Sequence, residues 1–331
     1  MIPQLKDKNT ILIAPLNWGL GHASRSLVLI KHYLHQGKKV GVASDGLALE
    51  WLQQELKDED LDFFELPAYD VDYKSSNMNW NMIRQYPKIQ RAIKLEHRVT
   101  SKIVDLWSPD FIISDNRYGV YATSIENTLI THQLGMQYAG VLTDTAFQMQ
   151  INKWTAGFNQ IWVPDYENQR LAGSMSASKS EKQISFIGPL SRFEEAKNKD
   201  GKGLLVILSG PEPQRTKLEQ LLEKQLIGFE EEITFVRGNN DDSLDPLNQK
   251  FKVIPLASSS QLSQLINQAR LVVTRSGYSS LMDFDVLKKK VLMIPTPGQK
   301  EQEYLADLHK DNPLIKFCSQ HADLRSAIEN F

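Results

Sequence analysis

The stretch ILIAPLNWGLGHASRSLVLIKHYLH, residues 11–35, sets the reading of the whole chain. Ile11-Leu12-Ile13-Ala14 is a short apolar run of strand length. From Ala23 to His35 the apolar spacing changes to that of a helix. Between them lies Gly19-Leu20-Gly21-His22-Ala23-Ser24-Arg25, whose glycines let the backbone turn sharply and approach a ligand. Strand, glycine-containing loop and helix in that order predict the first crossover unit of a parallel sheet.

Outward from this unit the pattern recurs. Val40-Gly41-Val42-Ala43, Phe63-Phe64-Glu65-Leu66, Phe111-Ile112-Ile113-Ser114, Leu129-Ile130, Tyr138-Ala139-Gly140-Val141, Gln160-Ile161-Trp162-Val163 and Ile184-Ser185-Phe186-Ile187 read as further strands. After the charged stretch from Arg192 to Lys202 a second set opens with Leu204-Leu205-Val206-Ile207-Leu208. It continues through Ile233 to Val236, Lys252 to Ile254, Leu271 to Thr274 and Val291 to Ile294. Both sets begin alike. The expected fold class is α/β: two Rossmann-like domains facing a cleft fit this pattern, and a single large sheet is the weaker alternative. Boundaries are expected at 1–190 for the first domain and 191–310 for the second. Residues 311–331 supply a strand and helix expected to pack back toward the first domain.

At 331 residues the chain is too long for one ordinary core, which agrees with two domains. A net charge of −2 gives no overall pull toward nucleic acid, so any anion site must be built locally. The single cysteine, Cys318, rules out an intramolecular disulfide, and its run Leu314-Ile315-Lys316-Phe317-Cys318 reads as a buried strand. No stretch approaches a membrane span, and the polar start is no secretory signal; the expected compartment is the cytoplasm.

Three loops carry candidate chemistry. In the first, Gly19, Gly21 and His22 precede a helix N-terminus, with its free N–H groups and positive dipole end. His22 is either a working residue or a helix cap. A dinucleotide fingerprint, with Asp45 on the ribose, is disfavoured because a histidine inside the turn would crowd a pyrophosphate. In the second, Ser209 and Gly210 offer a hydroxyl and backbone N–H groups to phosphate oxygens, or else form a plain turn. In the third, Arg275, Ser276 and Gly277 make a diphosphate clamp at a helix N-terminus, with Asp283 one turn in as a ribose acceptor.

These loops, with Pro295 through Gln302, resemble glycosyltransferase family 28, the family of the peptidoglycan N-acetylglucosaminyltransferase, and the resemblance implies the GT-B fold, two Rossmann-like domains facing a cleft. The similarity runs from about Leu204 to His309 and is anchored earlier mainly by the first loop. The resemblance implies that Arg275 lies by the phosphates and that Asp283 stands where the family has a ribose-binding Glu. It also implies that Gln302 contacts the donor sugar, that the backbone near Ser259 reads uracil, and that His22 is the base. Two departures stand out: the family's glycine-rich phosphate loop is here Ser209-Gly210-Pro211-Glu212, and its Gln-Gln pair is Gln302-Glu303.

Other signals are weaker. Asp70-Val71-Asp72 matches a metal-binding pattern of a different fold, but no His/Cys/carboxylate cluster has metal spacing, and neither metal nor cofactor is expected. Asp115, Arg117 and His132 follow first-domain strands and would face the cleft from the acceptor side, unless Asp115 and Arg117 simply pair with each other. From Lys74 to Lys102, basic residues outnumber the lone acid Glu96, with Trp80, Met82, Ile83, Tyr86 and Ile89 interspersed. That is a solvated helix, or a membrane-surface patch serving a lipid-linked acceptor from the cytoplasmic face. The expected activity is an inverting, metal-independent transfer from a UDP-sugar, N-acetylglucosamine being one candidate. A nucleotide-sugar hydrolase, an epimerase or a non-catalytic nucleotide-sugar sensor are the alternatives.

Overall fold

The computed structural model describes residues 1–69, 78–135, 141–177, 182–210, 212–239 and 251–331. The chain divides into two compact units whose main boundary is the Leu190–Ser191 bond, with Gly19–Gly21 grouped with the second. Each is a parallel sheet with helical crossovers.

The first unit runs β1 (Thr10–Pro15), α1 (Leu20–His35), β2 (Lys39–Ser44), α2 (Gly46–Glu55), β3 (Asp62–Glu65), α3 (Met78–Trp107) and β4 (Phe111–Asp115). It continues with β5 (Glu126–Ile130), α4 (Val141–Thr155), β6 (Gln160–Val163) and β7 (Gln183–Phe186). The strand order among the described residues is β3-β2-β1-β4-β5-β6-β7, all parallel. Burial follows that order. Every residue of β4 is buried, and all of β1 after Thr10, because helices cover both faces at the centre. The edge strands β3 and β7 are only half-buried. Continuous apolar runs are therefore the right signature for the middle of this sheet and a poorer one for its margins.

Among the described side chains of α3 the buried positions are Gln85, Ile89, Ala92, Glu96, Thr100 and Ile103, spaced three or four apart along one face. Ile103 packs with Leu12, Ala14, Ala43 and Ile112 of the sheet. The opposite face carries Lys88, Arg91, Lys94, Arg98 and Lys102 toward solvent. Among the described residues no helix is long and apolar enough to cross a membrane.

The second unit comprises β8 (Leu204–Ile207), α5 (Gln214–Gln225), β9 (Ile233–Val236), β10 (Lys252–Ile254), α6 (Ser259–Gln268), β11 (Leu271–Arg275) and α7 (Tyr278–Leu287). Then come β12 (Val291–Ile294), α8 (Lys300–Leu308), β13 (Ile315–Phe317) and α9 (Leu324–Glu329). Its strand order, β10-β9-β8-β11-β12-β13, is the doubly wound Rossmann order, with the chain reversing direction between β8 and β11. The first unit reverses likewise between β1 and β4.

The C-terminal segment belongs to the second unit. Within the second unit β13 pairs with β12, and Leu324 and Ile328 of α9 join the core beside Leu218, Leu222 and Leu226 of α5. Cys318 falls just past β13 and is half-buried rather than enclosed, with burial still pushing its thiol pKa up. Of the strand expected at Tyr138–Val141, residues 138–140 lie outside the described residues and Val141 opens α4.

Candidate active site

After β1 ends at Pro15 the chain turns through Gly19, whose φ of +72° is left-handed and suits glycine, into the first turn of α1. His22 and Arg25, three apart, share one face of that helix. Neighbouring β4 ends at Asp115, the register partner of Pro15. The two strand ends thus bring His22, Arg25 and Asp115 together at the sheet's switch point, where open α/β folds place ligands.

Nδ1 of His22 lies 2.9 Å from Oδ1 of Asp115. Arg25 donates Nε to Oδ2 of the same carboxylate at 2.7 Å and Nη2 to Oδ1, and the Ser26 hydroxyl donates to Oδ2 at 3.2 Å. Asp115 is fully buried, while 16% of the His22 side chain remains exposed, so the imidazole is the member of the group that reaches solvent. Burial works against charge on Asp115, but Arg25 and then His22 outweigh it and hold the carboxyl well below its usual range. An ionised Asp115 makes Nδ1 of His22 the donor and leaves Nε2 as the basic nitrogen. Burial, and after it the Arg25 charge, lowers the His22 pKa below the ordinary value; Asp115 opposes both and His132 adds to them. The Tyr118 phenol is pushed up to about 12 by burial and stays neutral. An imidazole in this state can accept a proton from a hydroxyl near neutral pH.

Arg117 does not pair with Asp115. It is completely buried and donates Nε to the Pro15 carbonyl at 2.8 Å, Nη1 to Glu96 at 2.8 Å and Nη2 to Asp45. Asn116 between them, at φ +57°, ends the strand and separates the two side chains' surroundings. Glu96 also accepts from the Gly119 N–H at 2.8 Å and the Tyr69 hydroxyl at 2.9 Å. Asp45 further accepts from Asn17 Nδ2 at 3.0 Å, so it is occupied where a dinucleotide site needs it open. The network ties together the ends of β1, β2 and β4 with α3. The readable sign of it was Glu96, the lone acid in a basic stretch. His132, after β5, is buried close enough to His22 for its charge to be felt there. Asp70 and Asp72 lie outside the described residues.

In the second unit the candidate donor residues gather at the carboxyl ends of β8, β11 and β12. Ser209 and Gly210 follow β8, with Gly210 at φ +96°. Ser276 follows β11, and Gly277 caps α7. A Cβ added at Gly277 meets nothing within 4 Å, so there is open space at the α7 N-cap. Gln302 of α8 accepts through Oε1 from the Thr296 N–H at 2.8 Å and from Ser276 Oγ at 3.4 Å, joining the loops after β12 and β11. Ser259, at the start of α6, accepts from Arg192 Nη1 at 3.3 Å. Asp283 accepts from Ser191 Oγ at 2.7 Å, and burial pushes its pKa up to about 6 against the opposing pull of Arg192 and Ser191.

Arg275, at the end of β11, is held by backbone carbonyls. Only 2% exposed, it donates Nη2 to the Gln214 carbonyl at 2.7 Å and Nη1 to the Ile294 and Pro295 carbonyls at 3.4 Å each. Its two terminal nitrogens are thus bonded to neighbouring loops, while Nε is buried without a partner among the described residues. Burial lowers its pKa to about 10.

Residues 10–326 match the family described as glycosyl transferase family 1. The chain belongs to that family. This glycosyltransferase shares its GT-B fold with solved structures of low sequence identity. They include the glycotransferase of kitacinnamycin (14% identity, 98% of this chain and 90% of that one, TM-score 0.62). Arabidopsis thaliana UGT89C1, complexed with UDP-L-rhamnose, is 14% identical over 97% of this chain and 89% of its own, with a TM-score of 0.61. MurG of Acinetobacter baumannii is 11% identical over 97% and 90%, with a TM-score of 0.55. No curated protein sequence matches the glycosyltransferase.

Proposed function

We propose that this glycosyltransferase moves a sugar, N-acetylglucosamine being the first to test, from UDP to a hydroxyl of a lipid-linked acceptor, with inversion and without a metal. The observation that carries the reading is the His22–Asp115 pair at the switch point of the first sheet. In one displacement the acceptor hydroxyl gives its proton to His22 Nε2 while its oxygen attacks the anomeric carbon. The bond to the diphosphate breaks, and UDP leaves with the electron pair. Asp115 fixes the tautomer and stabilises the imidazolium that forms.

The second unit supplies the donor site. Backbone N–H groups at Ser209-Gly210 and at the α7 N-terminus take the phosphates, and the helix dipole favours the charge that grows on the leaving group. Ser259 marks the base-binding segment, Asp283 the ribose and Gln302 the sugar. Arg275 enters indirectly, by holding the loops. A UDP donor is supported by the Arabidopsis neighbour's complex with UDP-L-rhamnose, and a family 28-like specificity by the loops after β8, β11 and β12. The lipid-linked acceptor is supported by the solvent face of α3, where five cations stand beside exposed Leu95 and Leu106. Such a face attracts anionic headgroups and would keep the enzyme peripheral on the inner face of a membrane.

The test is UDP release from UDP-N-acetylglucosamine, without added divalent metal, with and without lipid extract. Release that requires the extract, with labelled sugar recovered in lipid, supports the reading. Release without it makes the protein a hydrolase.

A further inference from the structure

The geometry points to Arg25 as the positioning residue for His22. By taking both oxygens of Asp115 it fixes the carboxylate that orients the imidazole, and it withholds part of the negative charge that would otherwise keep that imidazole protonated. This rests on the reading of His22 as the base and adds what sets its working range.

A histidine paired with a carboxylate alone is stabilised in its charged form, which makes it a poor acceptor of a further proton. Here the carboxylate is shared. Arg25 reaches Oδ2 through Nε and Oδ1 through Nη2, the two-point fork in which Arg matches a carboxylate. Oδ1 is also the atom that receives Nδ1 of His22. Arg25 is itself 1% exposed and Asp115 wholly buried, so solvent screens neither, and the two charges offset one another close to the ring. The other titratable groups around His22 do not replace this function. His132, from the loop after β5, opposes protonation of His22 as Arg25 does but more weakly, and Tyr118 is neutral. Ser26 adds a neutral hydrogen bond to Oδ2. The direction of the His22 shift agrees: its pKa falls despite a carboxylate at hydrogen-bond distance, with burial the larger cause and Arg25 next.

The test titrates His22 by NMR in the full-length protein carrying isotope-labelled histidine, the signal assigned by its loss in His22→Gln. In Arg25→Gln the His22–Asp115 pair should take up its proton about one pH unit higher or more, the size expected for removing a close charge. The acid limb of kcat/KM should move with it. Arg25→Lys keeps the charge without the fork and guards against a Gln variant that fails to fold. It should restore most of the midpoint but leave kcat reduced, because one ammonium does not hold both oxygens. An unchanged His22 midpoint in a folded Arg25→Gln, or wild-type kcat in Arg25→Lys, overturns the proposal. A shifted midpoint in a protein that transfers no sugar would uphold Arg25's effect on His22 and remove the transferase reading instead.

Discussion

Pro15 and Asp115 face each other across the β1–β4 ladder, and the backbone continues that pairing one step further, Leu16 N–H donating to the Asp115 carbonyl at 3.0 Å. Asp115 therefore leaves the sheet directly beside the loop that leads into α1. The placement of the acid partner is a property of sheet register rather than of local sequence. It explains why residues 93 positions apart meet at hydrogen-bond distance.

His22→Ala should lower kcat by about 10²–10⁴-fold while leaving UDP affinity, measured by calorimetry, near wild type. Asp115→Asn should fall in the same direction by leaving the imidazole without its charged partner. Because the His22 pKa is lowered, wild-type activity should hold below about pH 6.5, the ordinary histidine value, and fall only as acid protonates Nε2. The His22→Ala residual rate should lack that limb.

Gly277→Val separates fold from ligand. The added Cβ meets nothing within 4 Å and the glycine has an ordinary negative φ, so the melting temperature should stay close to wild type. Occupying the front of the α7 N-terminus should cost most of the UDP affinity. Unchanged UDP binding would move the diphosphate elsewhere.

Arg117→Ala strips two buried carboxylates, Glu96 and Asp45, of their shared counter-charge. Breaking a buried pair from one side costs about 3–5 kcal/mol. Urea unfolding should show a loss of that order in the first unit, and the loss should be smaller for Glu96→Gln, which keeps the shape and an acceptor.

Asp283 gives a pH signature of the opposite sign to that of Asp115. Its folded pKa, about 6, lies above the unfolded value, so its stabilising contribution is complete below the unfolded pKa and is lost as pH rises through about 6. Asp283→Asn should therefore gain stability on wild type above that pH and gain nothing in acid. The gain should be about 1.4 kcal/mol for each pH unit that separates the folded pKa from the unfolded one. Thermal melts at the two ends of the window decide it. Asp115, held low, loses its contribution only as pH falls below the ordinary carboxylate range.

The α3 surface predicts sedimentation with anionic but not neutral vesicles, relieved by salt, since exposed charge is screened within about 10 Å at 0.1 M. Lys88→Ser, Arg91→Ser and Arg98→Ser together should abolish it. Equal sedimentation with both vesicle types would dismiss the membrane reading.

The sequence made the strands legible because parallel strands covered on both faces need unbroken apolar runs. It was less clear where buried polar groups intrude. β5 opens Glu126-Asn127-Thr128, and only Leu129-Ile130 reads as strand. Asn127 is tolerated there because its side chain donates to the Ala122 and Ile125 carbonyls at 3.0 Å each and accepts from the Asn159 N–H. His22 could be found from its place in a glycine turn. Its partnership with Asp115 could not, nor could the inward turn of Arg275, because both depend on which strand ends lie side by side. Trp80, Met82, Ile83 and Arg84 belong to α3, but their side chains lie outside the described residues.

The C-terminal residues have a consequence beyond tidiness. With β13 and α9 closing the second sheet and its core, each ladder among the described residues is whole on its own side of the Leu190–Ser191 bond. A splice at that bond unzips no strand from its neighbour. On the proposed reading, in which the first unit takes the acceptor and the second the donor, a new pairing of sugar with recipient would then arise by recombining genes rather than by rebuilding either half.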